Sequence, residues 1–100
     1  MKFENLKMSR FANFLNQEVT YLDVDIDNQG NRSIAALAVT VEFRNIENQV
    51  VKRQTLRPLG EQAAPIAPGE RRSFRLAFEQ IPDDWNMQYP NMQVTGLVLR

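Results

Sequence analysis

The chain has 100 residues, 43% hydrophobic and 24% charged, so it makes one domain with its own core, and disorder is excluded as the default. Twelve basic and twelve acidic residues cancel, which leaves no global field to draw the chain onto nucleic acid or an anionic membrane. Cysteine and histidine are both absent, which excludes a disulfide, a thiolate nucleophile, a zinc–thiolate site and any Ser-His-Asp or Cys-His arrangement.

The N-terminal stretch admits two readings. Phe3, Leu6, Met8, Phe11, Phe14 and Leu15 fit one face of a helix, or a short strand over Lys2 to Met8 followed by an apolar, irregular link. The β character of the rest of the chain favours the strand. Aromatics this near a terminus are expected to pack across the body of the domain. Met1-Lys2-Phe3-Glu4-Asn5 lacks the apolar stretch of a signal peptide, so an exported form is expected to carry that segment elsewhere. No apolar run reaches the ~18 residues of a membrane span, so this segment is expected not to insert in a bilayer.

From Val19 the period becomes two. Leu22, Val24 and Ile26 alternate with Asp23, Asp25 and Asp27, as a half-buried strand requires. Asn28-Gln29-Gly30-Asn31 ends it with turn residues. A second strand runs from about Ser33 to Arg44 with Leu37, Val39, Val41 and Phe43 inward. Ile34 has the wrong parity for that face, so the strand begins after it or a bulge near Ala35-Ala36 shifts the register. A hairpin-length link, Asn45 to Gln49, leads to a strand from Val50 to about Leu56.

Arg57 to Glu70, with three prolines and two glycines, is a loop long enough to cross between sheets, and Ile66 is expected to tuck inward and pin it. Arg71 to Glu79 alternates cleanly, with Phe74, Leu76 and Phe78 inward. An irregular link from Ile81 to Pro90 follows. The last strand, Met92 to Leu99, contains Gly96, which marks a bulge or a close backbone approach. Five or six strands without a crossover helix exclude parallel pairing and leave two stacked antiparallel sheets, with a closed barrel as the other arrangement.

Several of these residues, taken in order, resemble a group of bacterial envelope domains, the FxLYD-like type. They are Asn28-Gln29-Gly30, then Val39, Val41 and Phe43, then Val50-Val51, then Pro68-Gly69-Glu70 before Phe74. Phe78-Glu79, Ile81-Pro82 and Asp84-Trp85 look like a narrower, largely uncharacterised branch of it. The likeness covers about residues 18 to 99. It departs at Arg44-Asn45, where the group often has Tyr-Asp, and at Asp23 and Asp25, where it often has glycine.

The resemblance implies an antiparallel immunoglobulin-like β-sandwich of about six or seven strands. Residues 18–99 would form its core, and residues 1–17 an N-terminal strand or link. It also implies a module carried outside the cytoplasm, periplasmic or on the envelope, without catalytic residues or cofactors.

Four features invite chemistry. Asp23, Asp25 and Asp27 suggest calcium, but Asn28 and Ile34 stand where an EF-hand loop needs glycine and glutamate. Alternate side chains on a strand are also ~7 Å apart, too far to clamp one ion. The favoured reading is a solvated acidic strand face that also discourages edge pairing. Arg71, Arg72 and Arg75 with Lys52, Arg53 and Arg57 would form an anion-holding patch if their two strands were neighbours, unless Glu42, Glu70 and Glu79 offset them.

Trp85, Met87 and Tyr89 would make a recognition surface for a sugar ring or peptide if exposed together, and a plug for one end of the sandwich if buried. The loop from Pro58 to Ala67 is a partner-binding arm or a plain crossing. The expected function is a non-catalytic module binding another protein or an envelope polymer, by a sheet edge or through the loops around Trp85. Its rivals are a structural spacer behind a membrane anchor and, least supported, a carboxylate-based hydrolase.

Overall fold

Among the described residues six strands sort into two sheets: β1 (Lys2–Ala12), β2 (Glu18–Asp27), β3 (Ile34–Arg44), β4 (Val50–Leu56), β5 (Arg71–Glu79) and β6 (Asn91–Leu99). They are seen in a computed structural model that describes residues 1–12, 14–60 and 62–100. Asn13, in the link after β1, and Glu61, in the long loop, lie outside the described residues. One sheet has the order β1-β2-β5 and the other β4-β3-β6, with every pairing antiparallel. The second strand lies beside the fifth and the third beside the sixth, the pairing that an immunoglobulin sandwich uses between its B and E and its C and F strands.

The period-two segments dictate this packing. Leu22, Val24 and Ile26 of β2, Leu37, Val39, Val41 and Phe43 of β3, and Leu76 and Phe78 of β5 form one core between the sheets. Burying each such side chain contributes roughly 1.5–3 kcal/mol. Ile34 joins them because the register shifts between Ile34 and Ala36, the bulge its parity calls for. Ile66 is fully buried, and its backbone exchanges two hydrogen bonds of 2.9 Å with Ile34, which pins the long loop across the end of the sandwich. At Gly96 a β-carbon would stand 3.1 Å from that of Ala38, so the glycine permits both the bulge at Thr95 and a close approach.

Asn28 fastens the same end. It is buried, and its amide Nδ2 donates to the carbonyls of Arg32 and Ile66, both at 2.9 Å, while its Oδ1 accepts from the Gly30 N–H at 3.1 Å. Its backbone N–H donates to the Glu70 carbonyl and its carbonyl accepts from the Gly69 N–H. The Asn-x-Gly and Pro-Gly-Glu turns, separate in sequence, are thus one bonded unit. Gly69 has φ 78°, a left-handed conformation that suits glycine.

The N-terminal segment is strand, and it runs to Ala12 rather than Met8 because pairing with β2 continues to Glu18. Phe3 and Met8 pack on the core, whereas Phe11, Phe14 and Leu15 are exposed, contrary to expectation. A bulge between Glu4 and Lys7, with Asn5 at φ 55°, resets the parity. Met8 and Arg10 then pair with the inward Leu22 and Thr20, and Phe11 takes the outer face, tilted against Tyr21 with ring centroids 5.9 Å apart.

Candidate functional site

The irregular link between β5 and β6 is held to the end of β3. Asn45 and Trp85 form a β-bridge, the Asn86 N–H donates to the Arg44 carbonyl at 2.8 Å, and the Trp85 N–H donates to the Pro82 carbonyl at 3.1 Å. Trp85 is thereby driven under the open end of the sandwich, where it is 6% exposed. Its indole meets Phe43 edge-on at 5.4 Å, and Phe43 meets Phe78 edge-on at 5.0 Å. Arg10 covers the same indole, with the guanidinium 5.8 Å from the ring centroid. Arg10 also pairs with Glu18, and its Nη1 lies 3.3 Å from the Met87 sulfur.

Above this floor lies a cleft of about 560 Å³ between the β1–β2 turn and the β5–β6 link, a volume suited to a small ligand or a peptide side chain. Three of the residues that line it, Asn16, Gln80 and Met87, have positive φ of 61°, 56° and 65°. For glutamine and methionine that conformation is uncommon and costs energy, and such residues concentrate at binding sites. The turn between Ala12 and Asn16, which both line the cleft, carries Phe14, 96% exposed, and Leu15. The Trp85 indole N–H is buried without an acceptor among the described residues.

Of the three residues in the proline-bounded link, Trp85 is the plug and Met87 and Tyr89 are each 54% exposed. Met87 is at the cleft, while Tyr89 turns toward β1 and its hydroxyl donates to the Leu6 carbonyl at 3.4 Å. Arg71 and Arg75 lie on the outer face of β5, away from the cleft. They are not joined by Lys52, Arg53 and Arg57, because β4 and β5 belong to different sheets: β4 turns back beside β3, and the long loop then carries the chain across. The condition for a shared basic patch is therefore unmet. Arg71 pairs with Glu4 at 2.7 Å, Arg75 with Asp23 at 2.8 Å and over the Tyr21 ring at 5.0 Å, and Arg53 with Glu42.

The aspartates of β2 are engaged in the same way. Arg75 hydrogen-bonds Asp23 and holds its carboxyl below the ordinary 3.8. Asn5 and then Ser73 do the same for Asp25. Arg53 lowers Glu42, and the Ala67 backbone N–H and then Arg72 lower Glu70, both from an ordinary 4.5. A lowered folded-state value means that each contribution to stability is complete above the ordinary value and lost as pH falls through the lowered one. The melting midpoint should therefore hold from pH 7 to about 5 and fall below about pH 4, with a shallower acid limb in Asp23→Asn/Asp25→Asn. A flat midpoint down to pH 2.5 would refute the ion pairing.

Sequence reasoning missed Arg10, Asn16 and Gln80 as parts of the site. The first had no distinguishing signal, because Lys2 and Lys7 share its strand, and the other two owe their place to turn geometry with no signature of its own. In comparisons with known proteins, no family model, no curated protein and no solved structure matches the chain.

Proposed function

We propose that this chain is a non-catalytic binding or assembly module that seats a partner in the cleft floored by Trp85. One observation carries the reading: residues in costly left-handed conformations, Gln80 and Met87, surround a buried indole whose N–H has no acceptor among the described residues. The group that fits is flat or apolar, resting against Met87 and Ile81, with a polar edge for Arg10. A side chain of another protein or a sugar of an envelope polymer has that character. Likeness to envelope domains at the Asn-x-Gly and Pro-Gly-Glu turns supports a bacterial envelope location.

Trp85 is the only tryptophan, so its fluorescence reports on the site alone. In a panel of short peptides and cell-wall oligosaccharides, a ligand at ~100 times its Kd should add about 2.7 kcal/mol, or on the order of 10 °C in melting midpoint. Met87→Gly suits the left-handed backbone, so it should melt no lower than the parent and yet lose the ligand response. A folded protein that answers nothing in the panel would favour the spacer. A response that survives both Met87→Gly and Arg10→Ala would move the site elsewhere.

A further inference from the structure

Four strands present an open edge, and three of them are guarded. β1 carries Lys2, Glu4, Lys7 and Arg10 and a bulge, β4 is short with Lys52 and Arg53, and β5 carries Arg71, Arg72, Arg75 and Glu79. Charge, bulges and shortness are how sheets discourage pairing with another chain. β6 carries a bulge at Thr95 but is neither short nor charged. Asn91–Leu99 holds nine residues with no charge and no proline. A seven-stranded immunoglobulin sandwich places a further strand beside this one.

The cross-strand register shows which β6 residues face the interior. Met92, Val94, Leu97 and Leu99 pair with the buried Val41, Val39, Leu37 and Ile34, and opposed residues share a face. Yet Val94, Leu97 and Leu99 remain 38%, 46% and 38% exposed, because nothing extends the sheet past them.

We infer that this edge pairs antiparallel with the β6 of a second copy, joining the two β4-β3-β6 sheets into one continuous six-stranded sheet. The bulge at Thr95 selects the partner. Interior-facing residues are even-numbered before it and odd-numbered after it, so a regular strand of period two matches only one half of β6. A copy carries the same break in parity. With the two-fold axis between Thr95 and Gly96, Val94 opposes the copy's Leu97, Met92 opposes its Leu99, and Gln93 opposes its Val98. Every interior residue then meets an interior residue, and symmetry repeats each contact. Arg100 of the copy falls opposite Asn91, at the end of the join. A net charge of zero adds no repulsion between whole chains. This surface is separate from the Trp85 cleft, so either proposal can fail alone.

Sedimentation of the full chain should give a mass twice the 11.6 kDa of one copy, with dissociation on dilution. Leu97→Lys should give monomers with a cooperative melt, since a lysine at a half-exposed edge reaches water in the monomer and is buried in the joined sheet. Val94→Lys, on the same interior-facing side and 38% exposed, is a second disrupting variant should the first not fold. The chain has no cysteine, so Val94→Cys/Leu97→Cys introduces the only thiols. They are too far apart along one strand to bond within a chain, and oxidation should yield a covalent dimer. A parent chain that stays monomeric at 1 mM, or a dimer that neither cross-links through these cysteines nor responds to either lysine, would overturn the inference.

Discussion

Replacing Phe43 with alanine should lower the melting midpoint by roughly 15 °C or more, corresponding to about 3–5 kcal/mol. The side chain is fully buried and is wedged between Phe78 and Trp85, meeting both rings edge-on. Truncation removes the transfer energy of the ring and leaves a hole that two stiff aromatic neighbours cannot close. The loss is a large share of the roughly 5–15 kcal/mol that holds a domain together. Because the same wedge supports the cleft floor, Trp85 emission of the folded variant should shift to the red. A fall of under about 5 °C, or roughly 1 kcal/mol, would show that Phe43 does not hold this end of the sandwich.

Asn28→Asp should cost about 3–5 kcal/mol at pH 7, an effect out of proportion to a change of one atom group. The Gly30 N–H can donate only to the amide oxygen, so the amide nitrogen must face the Arg32 and Ile66 carbonyls. A carboxylate there sets negative charge against two carbonyl oxygens in a site 3% exposed to water. The folded state should hold that carboxyl protonated more readily than the unfolded chain does. The penalty is then complete above the raised folded-state value and shrinks as pH falls toward the unfolded one. Asn28→Ala removes the bonds without adding charge and should cost about 1–3 kcal/mol, with no extra pH dependence. Urea melts at pH 7 and pH 4.5 separate the two. A variant within about 0.5 kcal/mol of the parent at pH 7 would mean that the Asn28 unit does not clasp the loops.

Both residues stood out in the sequence for reasons the structure extends. Phe43 was legible as core because it ends a run of period two, and the same regularity located β5 at Arg71–Glu79. The parity of Ile34 left two readings open, a strand beginning after it or a bulge, and the bulge is the one that holds. Asn28 read only as turn chemistry, since nothing in a three-residue motif shows that its amide will reach Ile66, 38 residues away.

Sheet order was illegible for a related reason. Alternation says which side of a strand is inward and nothing about which strand lies next to it, so Arg71 and Arg75 were grouped with Lys52 and Arg53 although the sheets separate them. The site was half legible. Trp85 and Met87 drew notice as large residues in a proline-bounded link, but outside a periodic segment there is no parity to sort plug from rim. The bulge that turns Arg10 inward and Phe11 outward left only Asn5 as its trace, a residue that tolerates φ of 55°.

The pairing of β3 with β6 and of β2 with β5 also governs how the chain reaches this state. Neither central strand completes its ladder with its sequence neighbour alone: β2 waits for Arg71–Glu79, and β3 for Asn91–Leu99. During synthesis one hydrogen-bonding edge of β3 therefore stays unpaired until the sixth strand has left the ribosome. The two hairpins form early and locally, whereas closure requires loops of tens of residues, which places this fold among the slower small domains, in the range of milliseconds to seconds.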